Sequence, residues 1–152
     1  MPRARENYVS VLEAYLLRLR CSPYQLKRYE LLIRILEKLY PRESALIRNN
    51  TCPYCGRTFS KHGIVVHLKS SNSRKPCRKY FYLMLAHVAR KYYLVSTYLS
   101  SMRPNTTVRL RIGGVTVRIR GRDELRKALL TNDDVLKAFL NMVDPTEEIL
   151  LL

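Results

Sequence analysis

No aspartate or glutamate stands between Ser44 and Arg122, a stretch that holds 16 lysines and arginines. Elsewhere in the 152 residues, acidic and basic side chains balance at 12 each, so the net charge of +16 belongs to this one window. A protein surface ordinarily interleaves both signs. A one-signed stretch repels itself, and a polyanion facing it relieves that repulsion. The same absence removes every carboxylate that might act as a general base in the window. A phosphate-cradling glycine loop and a nucleophile elbow are missing as well, so the chain does not read as an enzyme.

Long apolar runs are also lacking. The longest, Tyr80 to Ala89, is broken by His87 and ended by Arg90-Lys91. Two charges in mid-bilayer cost roughly 2.5–3.5 kcal/mol each, so no membrane span is expected. Pro2-Arg3-Ala4-Arg5-Glu6 leads into an amphipathic pattern, not into the apolar core of a secretory signal. Cysteine is scarce, with four in the whole chain. A secreted disulfide scaffold is shorter and denser in cysteine, so a reducing intracellular compartment, cytoplasm or nucleoid, is the expectation. Gln25 is the single glutamine and arginine outnumbers lysine, a composition that leans towards a thermophile. No internal repeat or low-complexity tract is visible.

What is present is mostly helical periodicity. Tyr8, Val11, Leu12, Tyr15 and Leu19 recur at helical spacing, with Arg18 and Arg20 at the end. Ser22-Pro23-Tyr24-Gln25 is a capping box with proline at the first helical position. It predicts a second helix to about Tyr40, stopped by Pro41, whose stripe of Tyr29, Leu32, Ile33, Leu36 and Leu39 packs on the first as a helical hairpin. Arg42 to Asn50 reads as a connector of one or two helical turns. A long helix is expected from about Cys77 to Ser101, with Tyr80, Leu83, Met84, Val88, Tyr92, Val95 and Leu99 on its broad apolar face. Thr107 to Arg120 is a hairpin signal. Two alternating runs flank Gly113-Gly114, which sets Ile112 opposite Val115, Leu110 opposite Val117 and Arg109 opposite Arg118. Asp123-Glu124 opens a further helix, Asn132 or Asp133 caps another, and Thr146-Glu147-Glu148 follows Pro145. The fold class is therefore α+β, mostly helical.

Cys52-Pro53-Tyr54-Cys55 has the spacing of a metal knuckle, since a tight turn brings both thiolates to one tetrahedral centre. Downstream lie His67 and Cys77, which complete a Cys-Cys-His-Cys set. His62 is the alternative ligand, but five residues from His67 it sits roughly 140° away around an ideal helix. Four side chains leave no open position for water, so the expected zinc is structural. Cys21, near the helical turn, and His87, in mid-helix, read as packing residues.

From about Thr51 to Cys77 this pattern resembles the two-Cys two-His zinc fingers. Phe59 falls where that family places its aromatic core residue, Ser60 can cap the finger helix, and Val65 or Val66 supplies the aliphatic core position. The resemblance departs in two places. Eleven residues instead of twelve precede His67, and the usual second-histidine positions are Ser71, Asn72 and Ser73. The resemblance implies a ββα-like finger and, with it, DNA binding of a transcription-regulator kind. It places Ser60, Gly63 and Val66 at the base-reading positions. None of them can grip a base bidentately. Phosphate contact is the better expectation, from Arg57, Lys61, Lys69, Arg74 and Lys75 in the finger and from Arg109, Arg111, Arg118 and Arg120 on the hairpin. Three segments follow: a helical hairpin over 1–47, the finger over 48–79, and the long helix, basic hairpin and C-terminal helices over 80–152, able to pack as one composite domain. The alternatives are binding to structured RNA or the ribosome, and a protein-interaction module. In the latter the helical apolar faces and the Ile149–Leu152 tail dock a partner or a second copy.

Overall fold

The computed structural model describes residues 2–70 and 76–145, with side chains from Tyr8 onward. The described residues form α1 (Pro2–Leu16), α2 (Pro23–Arg28), α3 (Glu30–Leu39), α4 (Pro41–Arg48), α5 (Lys61–Ser70) and α6 (Cys77–Ser101). These are followed by β1 (Thr107–Ile112), β2 (Val115–Arg120), α7 (Arg122–Thr131) and α8 (Asp133–Val143). The α+β, mostly helical class is borne out, including the long helix and the hairpin followed by C-terminal helices. Arg74 and Lys75, Ser71 to Ser73, and the Thr146–Leu152 tail lie outside the described residues. Among the described residues no helix is long and apolar enough to cross a membrane.

The chain divides into two compact units, Met1–Arg90 and Lys91–Leu152. In the first, α1 packs on α3 and α4, and α3 on α4. Leu12, Leu16, Leu32, Ile35, Leu36 and Ile47 are completely buried there. Each such side chain is worth about 1.5–3 kcal/mol of transfer from water.

The capping box forms as expected: Ser22 Oγ accepts from the Gln25 N–H at 3.2 Å, and the Gln25 side chain accepts from the Ser22 N–H at 3.2 Å. The helix it starts is shorter than the periodicity predicts. Tyr29, at φ −105° and ψ 27°, leaves helical geometry and separates α2 from α3. Its ring packs edge-on against Tyr8, with centroids 5.9 Å apart, a tertiary contact that local periodicity does not encode. Similarly α1 ends at Leu16, before Arg18, whose φ is +54°. The Leu19 N–H donates to the Ala14 carbonyl and closes the helix end. The expected connector after Tyr40 is the eight-residue α4, with Pro41 in its first turn.

In the second unit the hairpin register is the one expected: Ile112 pairs with Val115, Leu110 with Val117, Val108 with Ile119 and Arg109 with Arg118. Gly113 and Gly114 have φ of +57° and +79°, which a two-residue hairpin turn requires at both centres. Val108 and Leu110 are buried. α8 covers β1 and α7 covers β2. Leu125, Leu129, Leu136 and Phe139 complete this core, and Tyr98 meets Phe139 edge-on at 5.2 Å. The Asn132 side chain caps α8, accepting from the N–H groups of Asp134 and Val135. Lys91 Nζ, almost fully buried, lies 3.3 Å from Asp144 Oδ2 and ties the end of α8 to α6.

The buried stripe of α6 differs in part from the expected one. Met84, Val88, Tyr92, Val95 and Leu99 are buried, whereas Tyr80 and Leu83 are about half exposed at 49% and 55%. Phe81 and Leu85 take the inward positions instead. Cys77 stands at the head of the helix, and the Tyr82 hydroxyl donates to Glu13 Oε2 at 2.6 Å.

Candidate metal centre

Cys52 and Cys55 sit on a turn closed by hydrogen bonds from the Gly56 N–H to the Cys52 carbonyl (2.8 Å) and from the Cys52 N–H to the Arg57 carbonyl (2.9 Å). Gly56 has φ +76°, a conformation that favours glycine and lets the knuckle reverse in so few residues. The N–H groups of Tyr54 and Cys55 point at Cys52 Sγ and favour its thiolate. The expected two finger strands reduce to a single antiparallel bridge between Thr51 and Thr58, because the turn's own hydrogen bonds take up the backbone between them.

α5 carries His67. Ser60 Oγ accepts from the Gly63 N–H at 2.9 Å, so the expected cap forms. The inward positions of this helix are Ile64 and Leu68, not Val65 or Val66; Val66 is 48% exposed. Phe59 stacks on the His67 ring at 4.4 Å between centroids and fixes its plane. Cys77 is the first residue of α6 and is buried there.

These three segments bring one atom each of Cys52, Cys55, His67 and Cys77 within 4.8 Å of one another. A tetrahedral zinc with bonds of about 2.3 Å to sulfur and about 2.0–2.1 Å to nitrogen separates those atoms by about 3.6 Å. Cys55 Sγ and His67 Nε2 are 3.6 Å apart. Three thiols and an imidazole are a donor set that suits zinc, so the residues present fit the ion expected from the sequence. His62 lies on the exposed side of α5 and outside the cluster. Burial, more than any neighbour, raises the Cys52 thiol, and burial followed by the adjacent Cys52 pushes Cys77 up to about 12. Without a metal these thiols stay protonated, so metal capture displaces protons.

Several braces around the centre left no sequence signal. Asn50, at φ +62°, accepts a hydrogen bond from Arg18 and gives its carbonyl to the Phe59 N–H at 2.8 Å. Tyr54 donates to Met84 Sδ at 3.6 Å and lies against Tyr80. Glu13 holds Lys69 Nζ at 3.1 Å as well as Tyr82. Each links residues far apart in the chain through a pairing that no local pattern announces.

The expected phosphate contacts fall into two groups. Around the Cys/His cluster, Lys69 is engaged by Glu13, and the Arg57 guanidinium lies 5.7 Å from the centroid of the Phe59 ring. Lys61 is exposed. On the hairpin, Arg109, Arg111, Arg118 and Arg120 are all exposed. Among the described residues, none of these four side chains takes part in a hydrogen bond or ion pair. His87 accepts its place as a packing residue, with Nδ1 2.6 Å from the Tyr40 hydroxyl. No protein-family model, no curated protein and no solved structure matches the chain.

Proposed function

We propose that this chain is a nucleic-acid-binding protein whose finger segment is organised by one structural zinc, with DNA the first target. The observation that carries this reading is the directly opposed pair Arg109 and Arg118 on an exposed strand face, inside a window without a carboxylate. Like charges directly opposite across strands are destabilising, and a phosphate turns that cost into attraction. The four-ligand cluster supports a scaffolding metal, since it leaves no position for water or substrate.

The choice of DNA rests on the likeness of the Cys52–His67 pattern to DNA-binding fingers. A protein-interaction module is the rival reading, and salt separates the two. Nucleic-acid binding weakens steeply with salt through counterion release, whereas an apolar interface does not. The test is purification at low salt, followed by identification of any co-purifying nucleic acid and titration with DNA and RNA of equal length. DNA in the eluate and a steep negative salt slope are expected. Salt-independent capture of a protein, with no nucleic acid bound, would sink the reading.

A further inference from the structure

Two corners of the hairpin's outer face carry threonine, so its four arginines are not arranged as a square. The cross-strand partners on that face are Thr107 with Arg120, Arg109 with Arg118, and Arg111 with Thr116. The guanidiniums therefore run obliquely, from Arg120 at the base of β2, through the opposed pair, to Arg111 towards the tip of β1. Four residues of strand separate the two ends, about 14 Å along the ribbon at ~3.4 Å per residue, and the strands lie ~4.8 Å apart. The stripe is long and narrow, one strand spacing wide. The opposite face is spent on the core, with Val108 and Leu110 buried under the helices. At its base the stripe meets a boundary, where Arg120 shares an open hollow with Asp123 and Glu124.

We infer that this oblique stripe is the site where a single sugar-phosphate strand crosses the hairpin, and that the finger is scaffold. The inference rests on the nucleic-acid reading above and adds to it which surface binds and which chemical group is held. Arg109 and Arg118 bracket a common phosphate, whose charge offsets their mutual repulsion, and Arg111 and Arg120 reach the phosphates on either side. Guanidinium suits this because its planar fork pairs bidentately with phosphate oxygens. Thr107 and Thr116 add neutral hydroxyl donors at the two free corners. The segment around the Cys/His cluster offers less: Lys69 is held by Glu13, Arg57 lies against Phe59, and the apolar Val66 is half exposed. A line of phosphates occurs both in a single strand and along one edge of a duplex, so the chemistry is shared by the two sources.

The test uses the full zinc-loaded chain with single-stranded and duplex DNA of several unrelated sequences, over roughly 50 to 200 mM salt. Replacing Arg109, Arg111, Arg118 and Arg120 together with glutamine should weaken binding about tenfold or more for every sequence. The salt slope should become shallower by up to ~2.7 on duplex or ~2.1 on single strand, as three phosphate contacts are lost. A loss on one form alone identifies the source of the strand. The corresponding four-lysine variant keeps the charge and should keep most of the slope, and it serves as the folding control. Lys61→Gln should change little.

If the wild type binds and the glutamine variant matches its slope, the stripe is overturned while the nucleic-acid reading stands. A loss confined to one sequence means that these arginines read bases, and it overturns phosphate contact. A wild type that binds no oligonucleotide at the lowest salt, but binds phosphatidylserine vesicles, overturns both. Should the glutamine variant fail to fold, Arg111→Gln alone must still reduce the slope by nearly one contact, or the inference fails.

Discussion

Cys77 heads one helix and His62 lies near the start of another, and only Cys77 contributes an atom to the ligand cluster. Cys77→Ser should therefore lower zinc affinity by at least the 10–100-fold typical of weaker, outer-shell changes. His62→Ala should leave it unchanged, as read by competition with a chromophoric chelator. The opposite order would restore the short finger. A second residue-scale consequence concerns Tyr82. Burial first, and then the Glu13 carboxylate it donates to, push its phenol up to about 12, and burial raises Tyr54 and Tyr15 as well. The neutral phenol is the form the fold favours, so its contribution to stability is complete below about pH 10 and is lost as pH rises through about 12. An absorbance titration of the 11 tyrosines should show a late fraction, and Glu13→Gln should move part of it to lower pH. The clustering of Cys52, Cys55, His67 and Cys77 was legible in the sequence because spacing and chemistry coincide there. Glu13, Asn50 and Tyr82 were not, because their roles come from partners tens of residues away.

At the scale of elements, the hairpin was the most legible feature. Strict alternation around Gly113-Gly114 encodes both its register and the face that packs. The limits of α1, α2 and α3 were less legible, since Arg18 and Tyr29 leave the helix in answer to contacts with Asn50 and Tyr8. The first turns of α6 are a similar case. Periodicity alone admits Tyr80 and Leu83 to the apolar stripe, but Phe81 and Leu85 take the inward positions. The tie between α6 and α8 was invisible too, because Lys91 and Asp144 each look like surface charge in the sequence. In the fold Lys91 is only 2% exposed, beside Asp144. Asp144→Asn removes one countercharge from a buried ammonium and should cost up to about 3–5 kcal/mol in chemical denaturation. Replacing both residues with apolar ones of similar volume should recover most of that loss. A cost of a few tenths of a kcal/mol for Asp144→Asn would show the pair to be solvated.

For the whole molecule, the candidate metal centre lies in one of the two units and the hairpin core in the other. The four side chains of the cluster come from the Cys52 turn, α5 and the head of α6, and Cys52 and Cys77 are buried among them. Metal-binding free energy at such a centre is folding free energy for the segments it joins. The unit from Lys91 onward has its own core in Leu125, Leu129, Leu136 and Phe139, and holds none of the four ligands. Chelation should therefore act on the molecule unevenly. Amide exchange should quicken across residues 51–70 and the first turns of α6, while β1, β2, α7 and α8 keep their protection. Zinc added back, at about one equivalent per chain, should restore the slow exchange, with protons released as the Cys52 and Cys77 thiols ionise. Uniform acceleration across the chain would mean that the metal holds both units. No change anywhere, with no metal found in protein purified without chelator, would mean that the four ligand atoms meet for packing alone.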